Sequence, residues 1–368
     1  MKSFLILPVL IILLLETGCA KKNILEETGL ITTVGYDMAS SESILTTMVV
    51  LQIDPEAKRN VDILSSSADT SKGSRIDANL KTPKELQAGQ LRVALYNEKI
   101  AQKGLRYLAD TMARDPSVSD LIYIGIVEGS AHDTLNHDYK NIPDIGWYLY
   151  NQFEQLTEQE QILNPTLQDV QQSLYSVGTD PIIPLVKRKG ETIANTGSAI
   201  LRNDKMVGKL SPYKSFFVKL IRDDFRAGNI ELHLDLKNAE GKNEKVVTVL
   251  DTIKTSRDLK LTDPKIPHID AKLKITARLL EIRGKIDLTN PKNIKLLEKK
   301  IGQKFEQDTL KVIRYCQEKN SDVFGFGEVY RSSVRHSNLT MKEWHEKYKN
   351  LEAHVSVDFS LVRTGVTE

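Results

Sequence analysis

The chain has 368 residues, 40% of them apolar and 27% charged, with 51 Lys+Arg against 49 Asp+Glu and a formal net charge of +2. That composition fits globular domains with room for a sizeable core, two or three of them at roughly 100–200 residues each. The charge balance excludes a dedicated nucleic-acid binder, two cysteines exclude a disulfide scaffold or Cys-rich zinc module, and no run reaches the ~20 apolar residues of a membrane-spanning helix.

The first residues depart from this average. Lys2 precedes an uncharged run at residues 4–15 (FLILPVLIILLL). Twelve residues match the apolar region of a signal peptide and are too few for a span. Thr17-Gly18-Cys19 ends the run with two small residues before a cysteine, the arrangement a bacterial lipoprotein signal needs. Residues 1–18 are therefore read as a lipoprotein signal peptide, Cys19 as the lipidation site and residues 19–28 as a polar tether. Two or three acyl chains on Cys19, at ~0.8 kcal/mol per buried CH₂, hold a protein on a bilayer where a single chain would not. Glu16 departs from the Leu, Val or Ile usual three residues before such a cysteine, and an ordinary secretory signal with an incidental cysteine is the alternative.

Residues 30–34 and 43–53 are rich in β-branched residues around a polar turn and read as a hairpin. Residues 54–83 are poor in large apolar residues and read as an exposed loop with one short helix or strand. Residues 91–96 form a strand, 98–113 carry helical spacing, and 121–127 (LIYIGIV) form a buried strand, which together make a βαβ unit. Helices follow at 147–157 and 166–175, and Pro181 to Pro184 looks like a boundary. Beyond it come a hairpin (198–201 and 206–210), a helix (212–225), strands at 230–236 and 246–253, and a long alternation at 268–286. Pro291 opens the longest helix, to about Gln317, whose apolar stripe places Cys316 on the core face. A helix near 341–349 and a strand at 354–362 close the chain. Runs of strands with interposed helices indicate an α+β fold. The N-terminal α/β region, one domain or two, is placed at residues 29–185 and the C-terminal α+β domain at 197–368.

Catalytic chemistry is sparse. His132, His137, His233, His268, His336, His345 and His354 show no H-E-x-x-H spacing and no accompanying cysteine. No nucleophile elbow, phosphate-binding lysine loop or EF-hand is present. His132 and His137 read as a solvated helix end, and Asp223-Asp224 as surface ion pairs with Arg222 and Arg226. Phe324-Gly325-Phe326-Gly327 is read as a core element whose glycines permit positive φ or a close backbone approach. Lys292, Lys295 and Lys299 line one face of the long helix, a solvated face or a contact for anionic lipid or an acidic partner. No catalytic residue, metal or cofactor is assigned.

Several blocks, read together, resemble the Ger(x)C family, the C subunits of bacterial spore germinant receptors. They are Thr17-Gly18-Cys19, Val34-Gly35-Tyr36-Asp37, residues 89–95 with 101–105, Arg114-Asp115-Pro116, residues 197–210 (GSAILRNDKMVGKL), and residues 322–328 with Trp344. Ala20-Lys21 stands where many members carry Trp-Asp. The resemblance implies three mixed α/β domains and a non-enzymatic lipoprotein of the inner spore membrane, on the outer face of the cytoplasmic membrane. It further implies work with A and B membrane subunits in nutrient-triggered germination. A nutrient solute-binding lipoprotein is the alternative.

Overall fold

The computed structural model describes residues 27–362 apart from residues 41, 53–59 and 238–242. The expected signal peptide, Cys19 and most of the tether lie outside the described residues.

The expected N-terminal hairpin is present as β1 (Thr28–Met38) and β2 (Ile44–Leu51), paired antiparallel. Residues 54–83 hold more than the loop read from sequence. Within them β3 (Val61–Ala68) extends the hairpin, and α1 (Ser71–Asn79) follows, capped by the Thr70 side chain, which accepts from the Gly73 N–H. Composition misled here because β3 pairs with β2 through its backbone, which needs no large apolar side chains, and its face toward β2 carries hydroxyls, with Thr47 Oγ1 3.2 Å from Ser65 Oγ. A short β4 (Glu85–Gln87) pairs with the start of β1, and β5 (Val93–Asn97) runs parallel to β1.

The βαβ unit is present, with β6 (Tyr123–Val127) parallel to β5, but its helix is split into α2 (Glu98–Lys103) and α3 (Arg106–Ala113). Gly104 breaks it at φ +135, a backbone conformation that favours glycine, and the Leu105 N–H donates to Asp204 O at 2.9 Å. After α4 (Ala131–Leu135), α5 (Ile145–Glu158) and α6 (Leu167–Tyr175), β7 (Ile182–Lys189) returns parallel to β6. The hairpin β8 (Thr192–Arg202) and β9 (Lys205–Leu210) completes a nine-stranded sheet in the order β3-β2-β1-β5-β6-β7-β8-β9, with β4 beside β1. β7 spans residue 185, so the sheet is continuous from the first half of the chain into the second.

The sheet is covered on both faces. Ala94, Tyr96, Ile124 and Ile126 pack with α2, α3 and α6, while Val93, Leu95 and Val127 pack with α4 and α5. α7 (Pro212–Arg222), with Ser211 as its cap, leads to a second sheet. Its strands are β10 (Asn229–Lys237), β11 (Asn243–Asp263), β12 (His268–Arg283) and β13 (Glu352–Leu361), in that order. The strand expected to end at Ile253 runs on to Asp263. A bulge between Asp251 and Lys254, with Thr252 at φ +49, bends it and lets it re-pair with β12. α8 (Pro291–Glu318) is the long helix read from its stripe, followed by α9 (Phe326–Ser333) and α10 (Met341–Tyr348).

The second core gathers where α7 and α8 meet this sheet. Phe305 of α8 is fully buried, with ring centroids 6.2, 6.1 and 5.8 Å from Phe216, Phe217 and Phe359. Cys316 is buried on the same helix, and burial pushes its thiol well above the usual range, which leaves it an inert packing residue. Phe305→Ala is expected to cost about 3–5 kcal/mol, read as a lower denaturant midpoint at unchanged slope.

Candidate functional site

The most elaborate polar constellation joins the two halves of the chain around two buried carboxylates. Asp322 is fully buried and accepts four backbone N–H groups, from Phe324, Gly325, Phe326 and Gly327, at 3.2, 3.0, 3.2 and 2.9 Å. The Trp344 indole N–H donates to it at 2.9 Å. The Asp322 N–H donates to Asp180 Oδ2 at 2.8 Å, and the Asp180 N–H donates to Asp322 O at 2.8 Å. Asp180 Oδ1 accepts from the Asn203 N–H at 2.7 Å, and His345 Nε2 lies 2.9 Å from Asp180 Oδ2.

The local sequence explains this geometry. Gly325 takes φ +78, which curls the N–H groups of residues 324–327 toward one point and starts α9. A Cβ on Gly327 would collide with the backbone of Gly178 and lie 2.7 Å from the Trp344 ring. Both anticipated uses of these glycines are present. Thr340 and Glu343 form a capping box that starts α10 and carries Trp344 and His345 inward. Burial pushes the Asp322 carboxyl up to about 7, with Asp180 adding to the rise and the converging N–H groups opposing it.

A second feature is a cleft of about 480 Å³ at the carboxyl ends of β1, β5 and β6, lined by Asp37, Asn97, Lys99, Ser130, His132 and Asp133. In α/β sheets such crevices hold ligands where neighbouring connections leave for opposite faces. Here α2 follows β5 onto one face and α4 follows β6 onto the other. Much of the polar lining is already committed. Asp37 accepts from the Ala131 and His132 N–H groups at 2.9 and 2.6 Å, and Asn97 Oδ1 from the Ile100 N–H at 2.9 Å. Gly35 leaves no room for a Cβ against Ala131 and Leu135, which seats α4 on β1.

The remaining sequence candidates separate. His132 is not a solvated helix end: it lies at the start of α4, half-buried, with Nδ1 3.0 Å from Thr47 Oγ1 and 3.1 Å from Ser65 Oγ. Asp223 and Asp224 form ion pairs as expected, Asp223 with Lys219 one turn back on α7 (3.4 Å) and Asp224 with Arg257 of β11 (3.9 Å), and the Asp223 charge also acts on Arg222. Lys292, Lys295 and Lys299 are exposed on α8, whereas Lys304 is engaged by Asp308 at 2.9 Å. Among the described residues no group of three or more His, Cys, Asp or Glu is placed to hold a metal ion, and no helix is long and apolar enough to cross a membrane. The buried junction was missed in sequence. Its signals were Asp322 directly before a Gly-rich turn and the capping box ahead of Trp344-His345.

These features define a two-sheet α+β protein whose main polar constellation is a structural joint. Residues 21–188 match the family model "Spore germination protein N-terminal domain", and residues 196–365 match "Spore germination B3/ GerAC like, C-terminal". The chain is 30% identical to the spore germination protein GerQC of Bacillus cereus over 366 residues, covering 99% of this chain and 98% of that protein. It is 22% identical to the putative spore germination protein YfkR of Bacillus subtilis (strain 168) over 387 residues, covering 98% and 96%. Its fold is similar to the crystal structure of the GerBC protein, with a TM-score of 0.55 and 16% identity over 90% of this chain and 97% of that one. The chain belongs to the Ger(x)C family of spore germinant receptor C subunits.

Raising the folded pKa of Asp322 means that the native state holds a proton the unfolded chain has already released. Its stabilising contribution is complete below the unfolded value, near 4, and is lost as pH rises through about 7. Asp322→Asn is expected to flatten stability against pH between about 4 and 7. The same variant lowers overall stability, because one amide oxygen cannot accept all five N–H groups; urea titrations at several pH values read both effects.

Proposed function

We propose that this chain is the lipid-anchored, non-enzymatic C subunit of a spore nutrient germinant receptor, working beside integral A and B subunits. The observation that carries the reading is the family match through both halves of the chain, with a 30% identical spore germination protein aligned over nearly its whole length. The apolar run ending in Thr17-Gly18-Cys19 supports a signal peptide at residues 1–18, a lipidated Cys19 and a tether at 19–28. A body at 29–185 and 197–368 then hangs from the outer face of the cytoplasmic membrane, which becomes the inner spore membrane. Confinement by acyl chains raises its effective concentration for membrane-embedded partners. The buried, saturated state of the Asp180–Asp322 pair favours a structural role over catalysis.

Cys19→Ala is expected to move the protein out of the membrane fraction while its circular dichroism stays native. Persistent membrane attachment of the variant would sink the anchor. Affinity capture of the wild-type protein after gentle detergent extraction is expected to bring the A and B subunits with it.

The cleft beside Asp37 favours a second reading, a nutrient-binding lipoprotein. Calorimetry against amino acids and sugars separates the two: saturable heat supports the second reading, and its absence leaves the subunit role.

A further inference from the structure

We infer that the edge of the nine-stranded sheet at which β1, β5 and β6 begin is the face laid against the membrane, with Trp147 at headgroup level. The inference rests on the Cys19 anchor proposed above. β1 begins at Thr28, nine residues after Cys19, and a chain of that length spans at most about 30 Å. The edge where β1 begins is therefore held close to the bilayer.

That edge carries a built aromatic set. Trp147 is 50% exposed and stacks on Tyr150 with ring centroids 5.5 Å apart. The Arg92 guanidinium lies 4.8 Å from the Trp147 ring and 5.2 Å from that of Tyr150. Two contacts lock the set to the beginning of β1. The Arg92 N–H donates to Thr32 O at 2.9 Å, and a Cβ on Gly146 would lie 2.6 and 2.9 Å from the Thr32 and Thr33 hydroxyls.

Two further exposed side chains share the edge. Leu121, 68% exposed, precedes β6. Leu80, 83% exposed, follows Asn79, whose Oδ1 accepts the N–H of Leu86, the β4 partner of Gly29. Trp and Tyr prefer the membrane–water interface, where the ring lies among apolar groups and the polar atom stays wet, and an arginine stem lies along apolar surface with its head in water. Glu154 accepts from the Tyr150 hydroxyl at 2.8 Å, so the patch carries both signs and gains its hold from apolar area rather than anionic lipid. Neutral phosphatidylcholine therefore suffices. The cleft beside Asp37 lies at the opposite ends of the same strands and faces away from the bilayer.

The chain's two tryptophans make this measurable, since Trp344 is fully buried and only Trp147 can meet a quencher. Full-length acylated protein is reconstituted into phosphatidylcholine vesicles with a quencher either near the headgroup or deep in the acyl chains. Flotation of the vesicles reads the anchor, and quenching reads the face. The shallow quencher is expected to remove up to about half of the emission, the deep one less, and Trp147→Phe to abolish the effect. Protein that does not float takes down the anchor and this inference with it. Protein that floats, yet whose Trp147 is quenched by aqueous acrylamide and not by lipid, overturns the inference alone. Shielding from acrylamide only after the integral subunits are co-reconstituted also overturns it and gives the patch to a protein partner.

Discussion

A carboxylate sealed from water must be surrounded by donors, and the placement of Asp322 organises the joint between the two sheets. Four successive N–H groups can converge on one carboxylate only if the chain turns sharply, and Gly325 supplies that turn. The turn brings Gly327 onto Gly178, where neither residue has room for a side chain. Asp180, two residues further on, takes the Asp322 N–H, the Asn203 N–H of the β8–β9 turn and the His345 ring. Separating these segments would strip the Asp180 carboxylate of the Asp322 N–H and the His345 ring, and losing one partner of a buried charge costs about 3–5 kcal/mol. The polar joint is backed by apolar packing, since Ile182, Ile200 and Leu210 of the first sheet share the second core with Phe217, Val312 and Phe324.

The same demand closes other parts of the molecule. The outer edge of β13 would offer free N–H groups to any extended chain, but α8 lies along it. Glu306 accepts from Val357 and Glu298 from Leu361, each at 2.9 Å. Asp37, in the cleft at the far end of the first sheet, is likewise spent on the opening N–H groups of α4.

Legibility in the sequence followed the reach of the interactions involved. Strong periodicity within one element was readable: the β1–β2 hairpin, the β5–β6 pair and the stripe of α8 with Cys316 on its buried side. Elements stabilised from elsewhere were not. β3 is held by its backbone ladder to β2 and carries few large apolar residues. The break between α2 and α3 is imposed by Asp204, a turn residue distant in sequence. β11 runs past its apparent end because Thr252 takes up a bulge that shifts the register with β12. The junction was hardest of all, since Asp180, Asp322 and His345 are separated by 142 and 165 positions in their contacts. A lone Asp before glycines has no partner visible in one dimension.

The family blocks become intelligible on the same terms. Gly35 of the Val34-Gly35-Tyr36-Asp37 block leaves space for α4, and Asp37 caps that helix. Gly197 opens the block at residues 197–210 at φ +129, where its backbone crosses the Leu210 carbonyl too closely for any side chain. Asn203 of that block turns the hairpin and donates to Asp180, which links it directly to the closing Asp322 block and Trp344. Each of these three blocks is a place where two backbones approach or a buried charge is met. The first seats a helix within one sheet, whereas the other two meet at Asp180 and Asp322 and so fix how the two sheets are placed against each other.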